Sequence, residues 1–196
     1  MEVAALRGDG PLARARLGPW LPFPELLLLA LGAGLAAAPA FALVLSAVLE
    51  GTPPLLSAPA WVLAGTALAL VARTARALPT LDWLTPSLLR TLEYAAAIAL
   101  LPAGPWTYLW LATVAYHHYD LVYRVRTRGT PTPTWLVRAL GGWEGRTLVL
   151  VGLALTGTGD VVLVVMVVLL AAVLTGETLS DLRRSAPQPD PIDPDL

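Results

Sequence analysis

The chain has 196 residues, of which 56% are hydrophobic and only 14% charged, with a mean hydropathy of +0.66; ordinary soluble domains carry roughly 25% charged residues. It therefore reads as an integral membrane protein, with room for about five to seven spans at about 20 apolar residues each and none for a large soluble domain. The formal net charge is -1, all 13 basic residues are arginine, and the absence of cysteine excludes disulfides, thiolate catalysis and cysteine-ligated metal centres.

The N-terminal arm, residues 1–23, carries Arg7, Arg14 and Arg16 before an apolar run that is too long for a secretory signal. Six apolar segments follow, marked off by proline, glycine and charge. The first runs from Glu25 to Val48, with Pro39 past its centre, where a proline is expected to kink a helix. Its "LGAGLAAAPA" contains a Gly-x-Gly, but small residues in a lipid-embedded helix signal close helix packing rather than a nucleotide loop.

The second segment, Ala58 to Ala72, is stopped by Arg73 and Arg76. The third, Pro86 to Leu101, starts with a proline suited to a first helical turn and ends at "PAGP", which leaves space only for a hairpin. The fourth, Trp106 to about Arg126, opens with the aromatic "PWTYLW", an expected interface anchor, and closes with "AYHHYDLVYRVR". A Pro/Gly/Thr loop and a short interfacial helix through Arg138 lead to the fifth, Trp143 to Gly157. The sixth, Asp160 to Gly176, is valine-rich, yet an isolated strand in lipid would leave its backbone unpaired, so helix is expected.

The expected fold is thus an all-α, polytopic bundle of about six transmembrane helices over residues 24–180, with a Pro/Asp-rich disordered tail over 181–196. Arginines fall in the N-terminal arm, the second and fourth loops and the C-terminal arm, and are missing from the first, third and fifth loops. By the positive-inside rule both termini are cytosolic.

This topology gathers ionisable residues of four helices at one membrane face: Arg90 and Glu93 from the third, His117, His118, Asp120, Tyr123 and Arg124 from the fourth, Glu144 and Arg146 from the fifth, Glu177 and Asp181 at the end of the sixth. Helical spacing stacks His117, Asp120 and Arg124 in one column and Tyr116, Tyr119 and Tyr123 in the next. His117 is expected to face inward and His118, about 100° round the helix, to face away. Charged groups within a span are costly and usually face a cavity or one another. Two readings stand side by side: a cytosolic pocket, or an interfacial belt of Tyr, Trp and Arg with ion pairs such as Arg90–Glu93 and Asp120–Arg124 fixing the packing.

For the pocket, His117, Asp120, Glu93 and Glu144 are the candidate catalytic groups, with His117 as base and Asp120 as its orienting carboxylate. Arg90, Arg124, Arg146 and Tyr123 are the candidate substrate-binding groups, because guanidinium forks clamp phosphate. The carboxylates and imidazoles also suit a divalent cation, although no recognised metal spacing is present. No Walker A motif, nucleophile elbow or dinucleotide fingerprint occurs, and the dispersed, acid-balanced arginines argue against nucleic acid.

"LDWLTPSLLRTLEYAAAIAL", "AYHHYDLVYRVR" and "GGWEGRTLVLVG", spanning about Leu81 to Thr156, resemble an uncharacterised bacterial integral membrane domain found C-terminal to CDP-alcohol phosphatidyltransferase-like domains. The resemblance implies a plasma-membrane location, a role in phospholipid or phospho-alcohol synthesis, membrane lipids as ligands and a phosphatidyltransferase-like partner. If the chain were an enzyme it would be a transferase on such substrates. The phosphatidyltransferase signature itself, D-G-x-x-A-R with G-x-x-x-D-x-x-x-D, is missing. Three functions follow as expectations: a lipid-headgroup pocket, a non-enzymatic scaffold for a synthase, and, in third place, a small-solute transporter.

Overall fold

The computed structural model describes residues 21–49, 58–76, 78–128, 141–157 and 159–185, together with Leu12 and residues 135–136. The N-terminal arm, the Pro/Gly/Thr loop with most of its expected interfacial helix, and the Pro/Asp-rich tail lie outside the described residues.

Six long helices account for most of the described chain: α1 (Glu25–Leu49), α2 (Ala58–Ala72), α3 (Thr85–Leu100), α4 (Pro105–Arg128), α5 (Gly142–Thr156) and α6 (Gly159–Ser185). They coincide with the six apolar segments, except that α6 continues through "ETLSDLRR" and reaches Ser185. Pro39 lies inside α1 without ending it. The sequence reading missed one small feature. β1 (Leu21–Pro24) pairs in parallel with β2 (Ala75–Arg76), which places the start of α1 beside the end of α2. The buried Arg73–Glu25 ion pair, 2.5 Å long, ties the same two helix ends.

Two helices contain windows long and apolar enough to cross a membrane, Glu25–Ala42 in α1 and Val161–Ser180 in α6. At about 1.5 Å per residue the 15-residue α2 and α5 reach only about 22 Å, short of a roughly 30 Å hydrocarbon core. The valine-rich α6 is apolar on both sides: Leu163, Val167, Leu170 and Leu174 are buried, while Val161, Val165, Val168 and Leu169 are exposed. Helices hydrophobic all round belong in deep cores or in lipid.

The helices build two apolar clusters. One joins α1, α2, α3 and α5 through Leu29, Ala36, Ala69, Leu89, Leu92 and Trp143. The other joins α3, α4, α5 and α6 through Ala97, Trp110, Val114, Leu150, Leu163 and Val167. Helices α3 and α5 contribute to both and pack on each other, so they form the spine. Trp110, read from sequence as an interface anchor, is 1% exposed and belongs to the core, whereas Trp106 and Tyr108 of the same run are exposed.

The α1–α2 contact depends on small residues. A Cβ on Gly32 would lie 2.7 Å from the Gly65 carbonyl oxygen, and Ala36 and Ala69 follow one turn later on each helix. This small-xxx-small pair lets two backbones approach where a side chain could not fit. Gly34, by contrast, has nothing within 4 Å. Gly32→Val is therefore expected to destabilise the chain by about 1–3 kcal/mol through overpacking, and Gly34→Ala to leave it unchanged or slightly more stable. Tryptophan-fluorescence thermal unfolding in detergent micelles reads both; equal melting temperatures for the two variants would be incompatible with this crossing.

Candidate functional site

The site residues follow from how the chain enters α3 and α5. Thr85 and Pro86 open α3, where proline's missing N–H costs nothing. Arg90 and Glu93 then fall near its middle. At the entry to α5, Gly141 and Gly142 both take positive φ, +72° and +66°, which glycine alone adopts freely. This tight entry buries Trp143, Glu144 and Arg146 in the first turns of α5.

Glu93 is the hub. Both of its carboxylate oxygens receive N–H donors from Arg146, the Nε contact being short and the Nη2–Oε2 bond 3.1 Å. The bidentate fork across α3 and α5 is the strongest geometry available to such a pair. His118 Nε2 lies 3.4 Å from Glu93 Oε2, and the Tyr94 hydroxyl lies 2.8 Å from His118 Nδ1. With the Nε2 proton directed at Glu93, Nδ1 of a neutral ring is the acceptor, so Tyr94 donates to it. The Tyr94 and His118 rings meet edge on at 5.6 Å.

Both histidines are buried. The expectation that His118 faces away from the polar group is corrected: its ring is in the network, whereas Nδ1 of His117 is buried with no hydrogen-bond partner among the described residues. The physical reason is that α4 packs on both α3 and α6. A helix held between two neighbours buries two adjacent positions, not one face.

The remaining predicted residues separate. Arg90 lies one turn before Glu93, but Glu93 turns to α5, and Arg90 is left with buried Nε and Nη2 that find no acceptor among the described residues. Glu144 is fully buried and has a partner of its own. Asp120 and Arg124 form a second group at the C-terminal ends of α4 and α6. Arg124 Nε donates to Asp120 at 2.7 Å and Nη1 to Glu177 at 3.3 Å.

Beside this second group lies a cleft of about 210 Å³ between α4 and α6. Tyr116, Tyr119, Asp120, Tyr123 and Arg124 form its α4 wall, and Thr178 and Leu182 its α6 wall. Sequence spacing placed the tyrosines in one column, and Tyr119 and Tyr123 do stack, 6.3 Å apart at 19°. The part of Glu177 was visible only as an acid beyond the last span, and Tyr94 only as one residue of "LDWLTPSLLRTLEYAAAIAL" with no role assigned. No group of three or more metal-ligating side chains occurs among the described residues.

In a mostly helical chain with two membrane-length helices, the interior charges among the described residues are neutralised largely by one another, and Arg90 keeps two buried donors with no acceptor among those residues. The chain belongs to a family of unknown function, DUF5941, whose model matches residues 1–187. The match is wider than the Leu81–Thr156 stretch that carried the resemblance to an uncharacterised domain. No curated protein and no solved structure matches the chain.

The two histidines should differ in the stability they supply. His118→Leu removes two buried polar contacts, one to a carboxylate, and is expected to cost about 2–3 kcal/mol. His117→Leu removes a ring nitrogen that lacks a partner and should change stability by less than about 1 kcal/mol. Denaturant titration of the two variants in one detergent gives the comparison, and a larger loss at His117 would contradict the network.

Proposed function

We propose that this protein is a multi-pass bundle of six membrane helices in the bacterial plasma membrane, with a cytosol-facing site that binds the phosphate of a phosphorylated lipid or lipid precursor. The observation that carries the reading is Arg90. A half-buried guanidinium with two unmatched buried donors is unfavourable by about 1–3 kcal/mol or more for each group. It is explained when an acceptor arrives from outside the chain, and a phosphate oxygen pair fits that fork. Arg146 and Arg124, equally suited in principle, already face carboxylates.

Six spans are supported by the coincidence of the helices with the apolar segments, by the arginine bias of the loops and by the exposed apolar face of α6. Short helices such as α2 and α5 suit a locally thinned bilayer, or tilted neighbours that cover their ends. A phosphorylated lipid held at the cytosolic face agrees with the association with phospholipid or phospho-alcohol synthesis that the resemblance implies.

A second reading has an observation of its own. The acids proposed for catalysis are engaged internally, Glu93 by Arg146 and Asp120 by Arg124, which favours presentation of lipid to a phosphatidyltransferase-like partner over chemistry by this chain. The transporter reading has less: Thr66, the polar residue at mid-helix, returns its hydroxyl to the Val62 carbonyl at 2.8 Å.

Two experiments bear on these claims. The full chain, purified in dodecyl maltoside and mixed with phosphatidic acid or with diacylglycerol, is expected to retain phosphatidic acid selectively in native mass spectrometry. Arg90→Gln should weaken retention roughly tenfold, about 1.4 kcal/mol, without lowering the melting temperature; unchanged retention would sink the phosphate reading. Topology is accessible because the chain has no cysteine. A single cysteine at Ala103 should react with an impermeant maleimide added outside cells and one at Thr127 should not, and the reverse pattern would refute the proposed orientation.

A further inference from the structure

The ionic group beside the α4–α6 cleft has a charge opposite to that of Arg90. Two carboxylates, Asp120 and Glu177, share the single guanidinium of Arg124, so the group is net negative. Arg124 uses Oδ2 of Asp120, and the Asp120 side chain, 19% exposed, lines the cleft. Arg124 also lines the cleft, and its charge is met by Glu177, which does not; Arg126 and Arg183 do not line it. The tyrosines add a second feature of the same sign. Tyr116, Tyr119 and Tyr123 are 47%, 67% and 46% exposed, so their rings are open to an incoming group. Aromatic faces carry negative electrostatic potential and attract cations, most effectively where a carboxylate is adjacent. Tyr116 is also held across the cleft by a 3.4 Å contact between its hydroxyl and Thr178 Oγ1, which fixes one wall against the other.

Size narrows the ligand. Drug-sized molecules occupy pockets of about 300–1,000 Å³, whereas this cleft is about 210 Å³. It suits a single compact head.

We infer that the cleft between the C-terminal halves of α4 and α6 binds an alkylammonium group, with the Tyr116/Tyr119/Tyr123 wall facing the cation and Asp120 balancing its charge. The group can belong to a free amino alcohol or to the headgroup of a zwitterionic lipid. Both present the same tetrahedral cation to the exposed tyrosine wall. The inference does not depend on Arg90 binding phosphate. If phosphate binding fails, the cleft keeps its charge and its walls.

The test uses the full chain in dodecyl maltoside, which has no ammonium group. In the first arm, radiolabelled choline is titrated by equilibrium dialysis. In the second, the chain is exchanged through micelles containing equal phosphatidylcholine and phosphatidylglycerol, and the retained lipid is weighed by native mass spectrometry. Saturable choline binding, or selective retention of phosphatidylcholine, is expected, and the arm that responds identifies the source. In the responding arm Tyr119→Leu and Asp120→Asn should each weaken binding roughly tenfold. Tyr119→Phe, which keeps the ring, should stay within about twofold of the unchanged chain. Because Tyr119 is largely exposed, its variants keep the fold, and they decide the matter if Asp120→Asn disturbs Arg124. The inference is overturned by absence of binding in both arms, by equal binding of Tyr119→Leu and Tyr119→Phe, or by competition from inorganic phosphate in place of tetramethylammonium.

Discussion

The bidentate pair between Glu93 and Arg146 is the constraint on which the rest of the molecule turns. It joins α3 to α5, the two helices that belong to both apolar clusters. A carboxylate and a guanidinium this deeply buried are unfavourable singly, since removing either partner strands the other charge at a cost of about 3–5 kcal/mol. Their mutual satisfaction therefore sets the register of α3 against α5. Through His118 and Tyr94 the same pair fixes the rotation of α4. Hydrophobic packing alone would not choose among registers, because leucines, alanines and valines one turn apart on these helices are nearly interchangeable.

The consequence for function is one of allocation. Glu93 is the natural i, i+3 partner of Arg90, but its two oxygens are directed to α5. The pairing that secures the fold is thus what leaves Arg90 with open donors. A comparable imbalance of opposite sign arises at the ends of α4 and α6, where Arg124 serves two carboxylates. Among the described residues, Arg90 keeps two unmatched donors on α3, and a tyrosine-walled cleft lies beside a net negative group further along α4. Both proposals grow from this uneven sharing of charge, and neither requires a motif.

The helices were legible from sequence because proline, glycine and charge punctuate the apolar runs. Ala58–Ala72 is delimited by its neighbours on both sides, and "PAGP" admits only a tight connection, closed here by the Thr107 hydroxyl bonding to the Pro102 carbonyl. The membership of the polar group was legible in part. Topology gathered Glu93, Arg146 and the histidine pair, but periodicity could not say which partner each charge would take. Arg90 and Glu93 are neighbours on α3, and only packing on α5 shows that the hydrogen bonds of Glu93 go to Arg146 instead. His118 was misplaced for a related reason: helical-wheel reasoning assumes one buried face, and α4 has two. Trp110 was misread as an anchor because an aromatic at a helix start looks the same whether its ring meets lipid or core. Glu177 lay past the expected end of the last helix, and α6 continues far enough to bring it to Arg124.

The most direct test of the claim that Glu93 and Arg146 hold α3 to α5 is a double-mutant cycle on unfolding free energy in detergent micelles, with Glu93→Gln, Arg146→Gln and the combination. Each single substitution is expected to lose about 3–5 kcal/mol, and the double to lose less than their sum by a coupling of about 1–3 kcal/mol. Additive losses, with no coupling between the two sites, would contradict it.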